Sequence, residues 1–426
     1  MPHIIPFRGY LYDQNKVNIH DVVAPPYDVI SPAQQAALYD KSPFNVVRLI
    51  LGRETDRYAS AASHLQEWIK DGILVRDETP AIYVLHQTFV APNQKPITRK
   101  GFIALCRLEE FDKKIVLPHE KTHSKPKEDR FKLFKATNSN FSQIFSLYSD
   151  PEKLIDRALN GVSRTNPDVD VLFEDVQNKL WRLPEKEAIR AIEELIRDKQ
   201  VLIADGHHRY ETALAYRDFM KSQNPKHTGD ELYNYVMMFF TNIEDEGLVI
   251  YPTHRVVHSL NSFRPKEFLE QVGEYFIVRE FRDRGDLLTA LKSSPVSSFG
   301  VGIQGESNVY LLTLKPSTDV TAILNNNMPE EVKQLDVTLL HSILLRNVLG
   351  ISVEAQEQKL NLDYVRDAED AFAALESEKA QLAFVMNATK IEQVRMVARA
   401  GHTMPQKSTY FFPKLVSGLV LNRMEP

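Results

Sequence analysis

Between residues 201 and 217 the chain changes its hydrophobic period across a single glycine. Val201-Leu202-Ile203-Ala204 is a short apolar run of the kind that forms a buried strand, and it stops at Asp205-Gly206. Beyond the glycine, Tyr210, Ala213, Leu214 and Tyr216 or Arg217 fall at helical spacing. The pattern predicts a strand, a tight turn and a helix. A glycine there lets the backbone reverse sharply. The first N–H groups of the helix it opens have no intrahelical acceptors and lie at the positive end of the helix dipole. Such an opening suits an anion. His207, His208 and Arg209 supply further donors around it, and Asp205 can cap the helix or hold a hydroxyl or metal-bound group. The plainer reading of these residues is an ordinary capped helix with an exposed histidine pair.

The rest of the chain mixes strand and helix signals, which predicts an α/β class, with α+β as the alternative. Ser31-Pro32 with Gln34 reads as an N-cap, a proline at the first helical position and a capping box. Val46 to Leu51 reads as a buried strand, and Tyr58, Ala62, Leu65 and Trp68 or Ile69 as a helix closed by Asp71-Gly72. Ala81 to Val90 and Gly101 to Leu108 read as paired strands joined by a loop over 91–100. From Phe111 to Asn140 dense charge, Pro118 and Pro126 break any period, so a functional or mobile loop is expected. Residues 186–199 form an amphipathic helix through Ile189, Ile192, Leu195 and Ile196. At 426 residues the chain is expected to hold two or three domains. The expected divisions are 1–110, 111–225 and 226–426.

Composition narrows the partners. A formal charge of −5 gives no global basic field for nucleic acid or an anionic membrane, so an anionic ligand needs local charge. The single cysteine, Cys106, excludes an intramolecular disulfide and a CxxC zinc knuckle, and it reads as a buried small hydrophobe. No run approaches the ~20 apolar residues of a membrane span, and Met1 to Tyr10 lacks a signal-peptide pattern. A cytoplasmic protein that contacts neither nucleic acid nor membrane is expected. Oligomeric state is not legible.

A second motif is Pro118-His119-Glu120-Lys121-Thr122-His123, followed by Lys125, Lys127 and Arg130. His119-Glu120-x-x-His123 matches the HExxH pattern of zinc hydrolases, in which two histidines one helical turn apart hold metal beside a glutamate base. Pro118 and Pro126 bracket it, and Lys121 and Lys125 would set positive charge beside a cation. A better reading makes Glu120 a general base, with His119, Lys127 and Arg130 available to charged substrate groups.

Asp205-Gly206-His207-His208-Arg209-Tyr210 resembles the phosphate-binding turn of the ParB/sulfiredoxin superfamily. The likeness is greatest to the free L-serine kinases, whose Asp-Gly-x-His-Arg turn is preceded in sequence by a His-Glu dipeptide, here His119-Glu120. Over nearly its full length the chain also resembles a large, mostly uncharacterised bacterial family marked by Ala24 to Ile30, Pro118-His119-Glu120, Asp205 to Glu211 and Met404 to Tyr410. The resemblance implies a ParB/sulfiredoxin-like core with large N- and C-terminal additions. It implies a kinase, with Glu120 taking the proton of a substrate hydroxyl and Asp205 near the reacting groups. Gly206, His207, His208 and Arg209 would hold the phosphates of ATP or ADP, with Mg²⁺ bridging phosphate oxygens.

The departures bear on the substrate. In the small serine kinases the His-Glu dipeptide lies much closer in sequence to the turn, so this chain inserts elements between the two halves of the site. The sulfiredoxin cysteine would fall at His207, which excludes sulfinic-acid reduction. No basic recognition helix follows the turn, so ParB-type DNA binding fits poorly. Two readings remain: a nucleotide-dependent phosphotransferase acting on free serine or a similar small hydroxyl metabolite, and a non-catalytic nucleotide-binding regulator. A zinc hydrolase using His119, Glu120 and His123 ranks behind both.

Overall fold

The computed structural model describes residues 1–91, 95–120, 124–324 and 328–425, without the side chains of 124–126. Strands and helices alternate through it, and the class is α/β. The chain divides into two compact units. The first comprises 1–118, 122–249 and 411–426, and the second 119–121 and 250–410.

The first unit is organised by a mixed sheet that contains nine strands among the described residues. Its middle is Ile144–Tyr148 parallel to Tyr235–Asn242, which runs antiparallel to Pro96–Arg107, itself antiparallel to Ile82–Val90. All eight residues of Tyr235–Asn242 are buried, as expected for a strand covered on both faces. On one face Phe102, Ala104, Ile144, Ile203 and Met238 pack against Ile189, Ile192 and Ile196 of the helix Lys186–Arg197. Cys106 lies fully inside this core, and burial pushes its thiol up to about 12. The second unit carries an antiparallel sheet ordered Phe276–Phe281, Val309–Leu314, Ser298–Ile303, Leu382–Met386, His254–Val257, Leu362–Val365. Among the described residues no helix is long and apolar enough to cross a membrane.

Most elements form where periodicity predicted them. The helix Pro32–Lys41 begins at Ser31, whose hydroxyl accepts from the Gln34 N–H at 3.2 Å. The reciprocal half of a capping box is replaced, because the Gln34 amide donates to Glu174 instead. Arg57–Lys70 and Lys186–Arg197 are helical, and Val201–Asp205 is a strand.

Three expectations are corrected. Val47–Ile50 is a helical turn, not a strand; just before it the Asn45 side-chain oxygen accepts from the Val47 N–H at 2.9 Å and bends the chain into the turn. A short run buried on all sides carries no period that separates the two. The expected loop over 91–100 is strand from Pro96 onward, with Pro96 opposite Val90 at the strand start, where a missing N–H is tolerated. The expected loop over 111–140 contains the helix Ser124–Thr137. Pro126 falls in its first turn, where no intrahelical N–H is required. Phe131 and Phe134 seat the helix against Tyr216 of the helix His207–Gln223, at ring separations of 6.4 and 5.4 Å.

Asn45 is a packing residue. It is fully buried, and its amide donates to the carbonyls of Asp21 and Val23 at 2.8 and 3.1 Å. Asn45→Ala should destabilise the protein by about 2–4 kcal/mol in chemical denaturation, since it strands two carbonyls and one N–H inside the core. A change below about 0.5 kcal/mol would contradict this role.

Candidate functional site

The strand Val201–Asp205 is short because its register slips at its end. Leu202 and Ile203 pair with Leu147 and Ser146, but Asp205 then faces Phe145, and the irregularity lies between Ile203 and Asp205. Such a bulge re-aims the side chain that follows it. The next residue, Gly206, has φ 92° and stands as the N-cap of the helix His207–Gln223, with no side-chain cap. A Cβ at this position would sit 2.9 Å from the Arg209 Nε. Both the left-handed backbone and the close approach of the guanidinium therefore require glycine.

Asp205 does not cap the helix. Its Oδ1 accepts from Lys414 Nζ at 2.8 Å and its Oδ2 from Arg209 Nη2 at 2.7 Å. Burial alone would push the carboxyl up, but the charges of Lys414, Arg209 and His207 and the Lys414 hydrogen bond hold it well below the usual carboxylate range. Arg209 is itself buried and also donates to the backbone carbonyl of Gln143. Within this structure Arg209 builds the turn and fixes the acid. Lys414 was not anticipated, although it lies only four residues beyond the Met404 to Tyr410 motif.

Tyr210 anchors the helix from behind. It is fully buried, donates to the Glu109 carbonyl at 2.8 Å and accepts from the Glu109 N–H at 2.9 Å. Lys127 reaches Glu211 at 2.7 Å, joining the helix Ser124–Thr137 to the helix that begins at the turn. Arg130 is buried too. It donates to Asp129 at 2.7 Å and to the Ile50 carbonyl at 2.8 Å, and it lies 4.0 Å from the centre of the Tyr27 ring. Burial and Asp28 push the Tyr27 phenol up to about 12, against Arg130 and Arg209. The Pro-Pro-Tyr-Asp segment is thus brought within electrostatic reach of the turn, in the same unit.

His119 and Glu120 belong to the second unit. Glu120 makes an extended bridge to Met404, and the Met404 N–H donates to the His119 carbonyl at 2.7 Å. One carboxylate oxygen, Oε1, accepts from the backbone N–H of Ser408 and Thr409 at 3.2 and 3.4 Å and from the Thr409 hydroxyl at 3.3 Å. His119 is fully buried, with Nε2 2.8 Å from the same hydroxyl. The Met404 to Tyr410 motif is therefore what positions Glu120. The extended backbone at Glu120 departs from the helix that an HExxH site needs, and His123 lies outside the described residues.

Behind this cluster Arg255 is buried and donates to the Lys407 carbonyl at 3.0 Å. Burial pushes its guanidinium down to about 10, opposed by the Tyr364 hydroxyl and the Glu120 carboxylate nearby. Neither Arg255 nor Thr409 was singled out from the sequence. An arginine directly before the β-branched pair Val256-Val257 was the available signal.

The clamp on Asp205 has a pH signature. A carboxyl depressed in the folded state stabilises the fold above its unfolded value of about 3.9, and this contribution is lost as pH falls below that value. The stability gap between wild type and Asp205→Asn should therefore narrow as pH falls from about 6 towards 2 in denaturation experiments. A gap independent of pH would contradict the clamp.

Residues 4–338 match the model of a family described as a protein of unknown function, DUF1015. No curated protein matches the chain. Among solved structures the chain is similar to a conserved hypothetical protein from Pyrococcus furiosus, at 15% identity and TM-score 0.35, over 72% of this chain and 90% of that one. It is also similar to a free serine kinase in complex with AMP, at 13% identity and TM-score 0.34, over 71% and 85% of the two chains. A third is SbnI with a C-terminal truncation from Staphylococcus aureus, at 9% identity and TM-score 0.35, over 74% and 85%. With the family model spanning most of its length, the chain belongs to the DUF1015 family.

Proposed function

We propose that the protein is a nucleotide-dependent phosphotransferase acting on the hydroxyl of free serine or a similar small metabolite. The observation that carries the reading is the turn at Gly206, a left-handed glycine that opens a 17-residue helix with no side-chain cap. The first N–H groups of that helix point out of its end, and the dipole favours an anion there. A Cβ there would collide with the Arg209 guanidinium, so only glycine keeps this donor-rich turn in place, and a donor-rich helix opening fits a phosphate group. The resemblance to the ParB/sulfiredoxin superfamily and its serine kinases rests on these same positions.

In this reading Gly206, His207 and His208 receive nucleotide phosphates, while Arg209 shapes the turn through Asp205 and Gln143. Both Asp205 oxygens are engaged by cations, so Mg²⁺ would be held chiefly by the phosphates of ATP or ADP. Phosphoryl transfer asks mainly for positioning and charge neutralisation, plus one carboxylate to orient the attacking hydroxyl. Glu120 fills that last role, with Ser408 and Thr409 fixing one of its oxygens. It takes the hydroxyl proton as the new O–P bond forms and the bond to the departing nucleotide breaks.

A substrate screen of small hydroxyl compounds with Mg²⁺ and ATP or ADP tests the reading. Glu120→Gln should lose about 100-fold in turnover while nucleotide affinity stays within about threefold. Undiminished turnover in Glu120→Gln would remove it as the base. Nucleotide binding without turnover of any acceptor would favour the regulator.

A further inference from the structure

Across three strands of the first unit, Asn178, Gln87 and Arg99 stand directly opposite one another in the ladder. The three side chains form a polar row on a sheet face that also carries Phe145 and Phe239. Arg99 is fully buried. Its Nη2 donates to the Gln87 side chain and, at 2.6 Å, to the Pro413 carbonyl. Among the described residues its Nε and Nη1 have no hydrogen-bond partner. A guanidinium carries one N–H on Nε and two on each terminal nitrogen, so three of its five donors are unmatched. Among the described residues it makes no ion pair; Asp205 and Asp245 act on it only at longer range.

Gln143 is the second orphan. It is 1% exposed, and among the described residues neither Nε2 nor Oε1 of its amide has a partner. It lies two residues before Phe145, whose ring centre is 4.4 Å from the Arg99 guanidinium carbon. Its backbone carbonyl receives Arg209, which ties it to the turn. A buried guanidinium with no anion and a buried amide with no partner are costly features that native proteins seldom keep without a ligand or a role. The phenyl face beside Arg99 offsets part of the charge but accepts none of the in-plane N–H groups.

We propose that Arg99 and Gln143 form a binding subsite for a small carboxylate that carries a neighbouring hydrogen-bond donor, such as a hydroxy or amino acid. The planar guanidinium matches a carboxylate in shape and charge. The Gln143 amide supplies both a donor for a carboxylate oxygen and an acceptor for the ligand's own hydroxyl or ammonium. Because the Gln143 carbonyl itself receives Arg209, the bound carboxylate would lie in the same unit as the Gly206 turn. The inference stands on unmatched polar atoms and does not require that the protein transfer phosphate.

The test is thermal unfolding of the full chain titrated with sodium glycolate, glycine or acetate, against sodium chloride at equal ionic strength and inorganic phosphate. Glycolate and glycine should raise the midpoint saturably and at lower concentration than acetate, while chloride does not. Gln143→Leu removes no hydrogen bond made by the side chain, so its ligand-free midpoint should stay near wild type while its affinity for glycolate falls about tenfold. Arg99→Met should abolish the effect, and if that variant does not fold, Gln143→Leu decides alone. No saturable rise with any carboxylate, an effect of phosphate only, or wild-type affinity in Gln143→Leu would each overturn the proposal.

Discussion

The carboxylate of Asp205, held between Lys414 and Arg209, is the interaction on which the first unit's functional region depends. It closes a loop of contacts: the strand end is fixed by the bulge, the bulge aims the acid, and the acid seats the arginine beside a glycine that alone leaves room for it. The same acid binds Lys414, so a segment more than 200 positions away in sequence is tied to the turn. With Asp205 removed, the buried Arg209 would lose its carboxylate partner, a change that typically costs several kcal/mol. The clamp therefore makes the helix opening rigid, and a rigid array of backbone donors suits a phosphate better than a mobile one.

Two further buried arginines, Arg99 and Arg255, lie on strands. Arg255 is partnered by carbonyls and lies in the field of Glu120 and Tyr364. Arg99 has partners on only one of its nitrogens. The difference is informative because desolvation acts on both guanidinium groups and pushes both down, Arg99 to about 9. Arg255 is bonded through both terminal nitrogens and leaves only its Nε unmatched, which reads as architecture. Arg99, with two nitrogens unmatched, reads as a place where something else completes the shell.

Local features of this site were legible in the sequence because they are dictated by short-range physics. A glycine between an apolar run and a helical period forces the turn at Gly206, and Ser31 before Pro32 fixes a helix start. What escaped depends on contacts remote in the chain. Lys414 and Thr409 gain their partners only through tertiary folding, and Arg99 is an unremarkable charged residue until its ladder position buries it. The helix Ser124–Thr137 was hidden by its charged outer face, while Phe131 and Phe134 marked the inner one. Glu120 was readable as a candidate base, but its support by Ser408 and Thr409 was not.

The account turns on whether the Gly206 opening holds a nucleotide. Isothermal titration of the purified protein with ADP and ATP, with and without Mg²⁺, on wild type and on Gly206→Ala measures this directly. Binding in the micromolar range by wild type, weakened at least about tenfold in a folded Gly206→Ala variant, is the predicted result. No binding under any of these conditions, or equal binding by both proteins, would mean that the turn serves only to start a helix.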